Sequence, residues 1–499
     1  MRKKINYKVL LFCFIITTVV LFFTSKSSPF YPMNDWVDVN AFMTVGKSMM
    51  KGIVPYKDLF EQKGPVLYFI YGIASLISDT SYIGVFILEI ISMTLTLYFC
   101  YLIAKLFLSE KKSILLLPVF LLLITTCAAF THGGSCEEAM FLPQIITLYY
   151  FIRHFKNKEM NYKEYMLVGF FAGIILLIKY TSLGLWFAFQ LIMIISYFKK
   201  KKSREAILSS IMFLSGMMIP IIITLIYFGI NNGINEFIDV YFVTNMTVYT
   251  EKISILGRFI KLIETFFNTL FRNNLVVTSL VLFYPLLLWR LSLEKEYKWY
   301  LIIIYLFTIF GVFYGLKSYS YYVLPVNLFI LFSLISLFTY IKDKKLNKNY
   351  KIIFTIVLVL TFSLSYLISN NRYFHGIKKE DLFQYKFAEE IKKEDNPTVV
   401  NIGYLDFGVY LTSGVYPTTY FFEQQNFKYD NFPDNVDAFM NYIRNKETMF
   451  IVYIKNYKNH DDPFLEEEKL RENYDIIIDE IPFDYEWHTY YAYLWKVKE

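Results

Sequence analysis

The sequence predicts a polytopic α-helical membrane protein, with about eleven transmembrane helices and a small α/β domain outside the membrane at its C-terminal end. Three observations carry this reading. The 499 residues are 56% hydrophobic and 19% charged, whereas a soluble domain has a charged share of about a quarter. Apolar runs alternate with connections that are basic every second time, which is how cytoplasmic loops are marked. From about residue 373 the long apolar runs stop, and acids and turn residues become frequent.

Arg2, Lys3 and Lys4 place the N-terminus in the cytoplasm, and the apolar run Val9 to Phe23 is a retained first span because no Ala-x-Ala-like cleavage site accompanies it. A long outer loop then reaches about Ser81. Within it Val66 to Ile77 is apolar for only 12 residues, too short to cross, so it is expected as an interfacial or re-entrant helix. The second and third spans cover about 83–107 and 114–130, and a short outer loop with the sequence THGGSCEE leads to the fourth, which ends at RHFKNKEMNYK. The fifth and sixth divide near Lys179, Tyr180 and Thr181 and end at Lys199 to Lys202. A seventh, about 206–230, precedes an outer segment, about 231–273, that bears charges and suits the membrane surface. The eighth covers about 274–289, the ninth exits near Lys317, the tenth ends at KDKKLNKNYK, and the eleventh, about 352–369, delivers the tail outside. Moving this map by one span would put every Lys-rich loop on the wrong side.

The domains are therefore 1–372, transmembrane, and 373–499, extracytoplasmic, in a multi-pass protein of the plasma membrane. In the tail TVVNIG, MFIVYI, YDIIIDEI and YYAYLWKV read as strands, while Asp381 to Lys393 and Val436 to Arg444 read as helices. The net charge of +7 lies in the inner loops, which argues for membrane topology and against nucleic acid. The four cysteines lie in or beside apolar spans with no metal-ligand spacing, and imply no disulfide framework. No phosphate-loop or dinucleotide glycine fingerprint is present.

The polar stretch Asn34 to Tyr68 interrupts this apolar chain and is the first candidate for chemistry. Val39, Phe42, Met43, Gly46, Met49 and Met50 recur at helical spacing, predicting a short amphipathic helix in the interface with Asp38 as its N-cap. Asp35 reads as a loop acid. Lys63 precedes Gly64 and Pro65, which places an ammonium at the entrance of the next helix. Glu137 and Glu138 follow Gly133 and Gly134 in the second outer loop; Lys317, Tyr321 and Tyr322 stand at another outer helix end. All are expected on the outer face of the membrane. Acids that accept a proton and cations that hold a phosphate are what group transfer from a lipid phosphate requires. His132 reads as a polar boundary residue, Lys179 as either a phosphate ligand or a snorkelling side chain, and Glu89 as an acid that must face protein or a cavity.

Asp38, Phe42, Gly46, Met49, Met50, Gly52, Pro55, Tyr56 and then Lys63 to Tyr68 resemble the first outer loop of GT-C superfamily glycosyltransferases, of the aminoarabinose transferase and protein O-mannosyltransferase type. The second acidic loop, Lys179, the step Tyr322 to Pro325 and the outer C-terminal domain follow in the family's order across nearly the whole membrane region. Val39 stands where the family often has Glu, and Gly64 replaces its first Pro. The resemblance implies a glycosyltransferase that moves a sugar from a polyprenyl-phosphate donor to a glycan, lipid or wall-polymer acceptor by a single inverting displacement. It implies Asp38 as the catalytic acid, Glu137 or Glu138 as the second-loop acid, and Lys63 on the lipid phosphate. Lys317, Tyr321, Tyr322 and Lys179 are further phosphate candidates. A divalent cation, Mg or Mn, is left open by the carboxylates. The competing readings are a transporter or flippase of lipid-linked glycans, which should show a repeat and midplane charges, and a non-catalytic membrane scaffold.

Overall fold

The computed structural model describes residues 5–156, 158–248, 253–456, 467–486 and 488–499, which form two compact units. The first comprises Met1–Phe30, Phe86–Thr224 and Glu251–His375; the second comprises Tyr31–Val85, Leu225–Thr250 and Gly376–Glu499.

Among the described residues, six helical stretches are long and apolar enough to cross a membrane: Tyr7–Thr24, Ile83–Ala104, Tyr162–Lys199, Ser203–Ile230, Lys295–Phe313 and Asp343–Leu367. The pair Ser320–Asn327 and Ile330–Thr339, bent by 45°, makes a seventh. Tyr162–Lys199 contains the fifth and sixth expected spans, because Lys179 leaves the helical region at φ −158° and ψ 93° and a 3₁₀ turn over Tyr180–Leu183 follows. Helices also form at the third, fourth and eighth expected spans. There Glu110–Thr125, Phe141–Lys156 and the broken pair Leu275–Leu282 and Tyr284–Leu288 fall short of the about 20 residues of a full crossing.

Polar contacts sort the ends of the first unit. Lys112 pairs with Asp343 at 3.1 Å, Lys199 with Glu296 at 2.7 Å and Lys202 with Glu159 at 3.4 Å, while Lys156 donates to the Ser292 carbonyl at 3.1 Å. With the Lys156 ammonium also 4.2 Å from the Phe107 ring centroid, these contacts link the five connections expected to be basic inner loops, so those share one end. Close helix crossings are made by glycine. A Cβ at Gly169 or Gly216 would overlap the carbonyl oxygen of Phe213 or Met166, so Tyr162–Lys179 and Ser203–Ile230 meet backbone to backbone. Ile255–Leu270, in the segment expected at the membrane surface, is amphipathic: Ile255, Leu256, Phe259 and Ile260 are exposed while Leu262, Phe266 and Leu270 are buried.

In the second unit the predicted short helix runs over Val37–Met49, labelled α1, and the expected short apolar helix over Pro65–Ser75, labelled α2. Pro65 opens α2 after Gly64, where its missing N–H costs no hydrogen bond. Two details of α1 differ from expectation. Trp36 occupies the N-cap position and Asp38 sits inside the first turn, where its charge meets the positive end of the helix dipole. Val39 to Ser48 are buried on the polar as well as the apolar face, because residues of the C-terminal segment cover the polar one. Helices α1 and α2 cross tightly: a Cβ at Gly46 would lie 2.7 Å from Gly72 N and 2.8 Å from Tyr68 O.

The four predicted strands all form: β1 Val399–Ile402, β2 Phe450–Lys455, β3 Tyr474–Tyr485 and β4 His488–Val497. Their order is β1-β2-β4-β3, with β1 and β2 parallel and the other pairs antiparallel. The two predicted tail helices form over Phe383–Ile391 and Pro433–Asn445.

Candidate active site

The first outer loop supplies Asp38 and Lys63, both half-buried, and both lie in the second unit. Glu61, which sequence reasoning left without a role, stands between them electrostatically. Its Oε2 accepts the Lys63 backbone N–H at 3.0 Å and the Tyr68 hydroxyl, so it fixes the turn that carries the lysine. Burial raises the Glu61 pKa against the opposing charge of Lys63, and the charge of Asp38 raises it further. The Lys63 ammonium lies 5.8 Å from the Phe42 ring centroid, and Asn245, just after the π-helix Ile238–Thr244, donates to the Gln62 carbonyl at 2.8 Å. Asp35 is buried, with 8% exposure.

The C-terminal segment adds acids that the sequence did not single out. Glu423 and Asp406 are fully buried. Glu423 Oε2 accepts the Asp406 backbone N–H at 2.7 Å, and Asp406 Oδ1 accepts the backbone N–H groups of Gly408 and Val409 at 2.9 and 3.0 Å. Burial pushes the Glu423 pKa well up, and the charges of Asp406, Glu61 and Asp38 add to it. The signal available in the sequence was a single acid inside an apolar run, YLDFGVY for Asp406 and YFFEQQ for Glu423.

The first unit holds the other candidates. Lys179 Nζ donates to Glu137 Oε1 at 2.6 Å and lies 3.2 Å from the centroid of the Tyr322 ring, which joins the expected second-loop acid to the Lys179 break and the Tyr322 step. Glu138 Oε2 accepts the Gly134 N–H at 2.8 Å, and burial raises the Glu138 pKa. Glu89 faces protein, as expected, and its Oε2 accepts the Ser25 hydroxyl at 2.8 Å. His132 is half-buried and its carbonyl accepts the Lys26 N–H at 2.9 Å. Tyr321 meets the Tyr322 ring at 5.1 Å and stacks on Tyr319, in the turn that follows Lys317. Among the described residues no three His, Cys, Asp or Glu side chains are grouped to hold a metal ion, so they offer Mg or Mn no ready ligand set.

Known proteins share this architecture. The crystal structure of ArnT from Cupriavidus metallidurans in the apo state matches over 97% of both chains with a TM-score of 0.59 and 9% identity. The same protein bound to undecaprenyl phosphate matches over 97% of both chains at 0.57 and 10%. The dolichyl-phosphate-mannose-protein mannosyltransferase family matches residues 62–228. The chain shares the fold of ArnT. Arabinofuranosyltransferase AftD from Mycobacteria matches over all of this chain and 40% of its own, with a TM-score of 0.55 and 10% identity. No curated protein matches by sequence. The described helices long and apolar enough to cross a membrane, together with this shared fold, support a multi-pass membrane protein.

Proposed function

We propose that the protein transfers a sugar from a polyprenyl-phosphate donor to a glycan, lipid or wall-polymer acceptor at the outer face of the plasma membrane, with its N-terminus cytoplasmic. Asp38 takes the proton of the acceptor hydroxyl while that oxygen bonds to the anomeric carbon, and the bond from this carbon to the phosphate oxygen breaks with inversion. Lys63 holds the charge of the departing phosphate. Lys179, Lys317, Tyr321 and Tyr322 are further phosphate contacts, and Glu137 and Glu138 form the second acidic element. The similarity to ArnT, a protein crystallised with undecaprenyl phosphate, supports the donor class.

One observation carries the choice of base. Asp35, Glu61, Asp406 and Glu423 are all buried, whereas Asp38 keeps access to solvent at the start of α1. Burial favours the protonated form of Glu61, Asp406 and Glu423, which makes them poor proton acceptors in their own right.

The test is transfer by the purified protein from polyprenyl-phosphate sugars to cell-envelope acceptors. Asp38→Asn should lower turnover by about 10²–10⁴-fold, the usual contribution of a positioned base. Lys63→Ala should cost about 10²-fold through the phosphate. Undiminished transfer by Asp38→Asn would overturn the assignment of the base. Movement of labelled lipid across vesicles without donor consumption would establish a transporter instead.

A further inference from the structure

We infer that Glu137 is a positioning residue that holds the Lys179 ammonium for the donor phosphate, and that it does not itself exchange a proton with the acceptor. This rests on the reading of Lys179 as a contact to the lipid phosphate.

The geometry engages both oxygens of Glu137. Its side chain is 0% exposed, Oε1 accepts from Lys179 Nζ at 2.6 Å, and Oε2 accepts from the neighbouring Cys136 thiol at 3.0 Å. A carboxylate with both oxygens engaged and no exposure has no route to an acceptor hydroxyl. Lys179 keeps 13% of its side chain exposed. Its ammonium has one direction fixed by Glu137 and one face covered by the Tyr322 ring, 3.2 Å from the centroid, and an ammonium carries three donors.

The backbone is built to deliver this side chain. Lys179 is where the span Tyr162–Lys179 stops being helical, and the following 3₁₀ turn over Tyr180–Leu183 redirects the chain. A lysine on a continuous apolar helix would snorkel to whichever polar phase was nearer. Here the break and the carboxylate give its head one place. Glu137 is anchored in turn, since Ser135 accepts the Glu138 N–H at 3.1 Å and Glu138 accepts the Gly134 N–H, closing the second loop on itself.

Two readouts test the assignment. The first is affinity for undecaprenyl phosphate, which needs neither the sugar nor the acceptor. Glu137→Gln should weaken binding about tenfold, and the double variant Glu137→Gln with Lys179→Met should bind no worse than Lys179→Met alone, as expected when one residue acts through the other. The second is the rate at which acetic anhydride modifies Lys179 in the intact protein, followed by mass spectrometry. Glu137→Gln should raise it several-fold, as loss of the ionised partner frees the amine. Additive losses in the double variant, or an acetylation rate at Lys179 unchanged by Glu137→Gln, would overturn the inference. A wild-type protein that does not bind undecaprenyl phosphate would remove the proposed donor, and the acetylation rate would then decide the coupling of Glu137 to Lys179.

Discussion

Gly133 stands at φ +80° with its α-carbon against two side chains. A Cβ there would lie 2.7 Å from Glu89 Oε1 and closer still to Ser25 Oγ, whose hydroxyl donates to the other Glu89 oxygen, Oε2. Gly133→Ala should therefore destabilise the protein by about 1–3 kcal/mol, through left-handed backbone strain and displacement of the Ser25–Glu89 contact. The loss is read as a lower melting temperature in detergent, and an unchanged value would show that the loop relaxes freely. The glycine pair was visible in the sequence as a feature of the second loop. What it packs against was not, since Glu89 lies 44 residues earlier in the chain, by subtraction of the two residue numbers.

At the scale of the element, α1 shows how a pattern is reinterpreted by its surroundings. Its apolar spacing and its position were legible, but the surroundings of Lys47 were not. In the fold Lys47 Nζ is buried and donates to the carbonyls of Tyr410 and Val415 at 2.7 and 2.9 Å. Burial lowers its pKa from 10.5 to about 8, with Asp406 and Asp79 opposing the shift. Between about pH 8 and 10.5 the unfolded chain thus binds more protons at this residue than the folded one, so its contribution to stability rises with pH across that window. Comparison with Lys47→Met isolates the effect, because the buried carboxyls are common to both proteins. The wild type should gain melting temperature relative to the variant between pH 7 and 9.5. A constant difference would show that Lys47 titrates near its ordinary value.

At the scale of the molecule, the second unit is assembled from three separate stretches, 31–85, 225–250 and 376–499. The first outer loop owes its burial to the tail: Phe60 packs against Tyr420, Phe421 and Phe432 at ring distances of 5.9, 5.1 and 5.2 Å, and its N–H donates to the Tyr420 carbonyl at 2.8 Å. Ending the chain after His375 should leave α1 and the turn before Lys63 uncovered. Limited proteolysis should then cut within 31–85 at sites protected in the full protein. Equal protection in the shortened chain would mean that the outer loop folds without the tail.

The sequence by itself determined the membrane class, the four strands of the tail and the positions of α1 and α2. These follow from hydrophobic period, chain length and the placement of lysines, all of which act locally along the chain. Only the tertiary structure decided which acids are accessible and which are held. Asp38, Glu61, Glu137 and Glu423 are carboxylates alike in sequence. Their differences come from burial and from partners distant along the chain, such as Lys179 for Glu137 at 2.6 Å and the Asp406 N–H for Glu423 at 2.7 Å. The free energy of a charge depends on the dielectric and donors around it, and those are supplied by residues that only folding brings near.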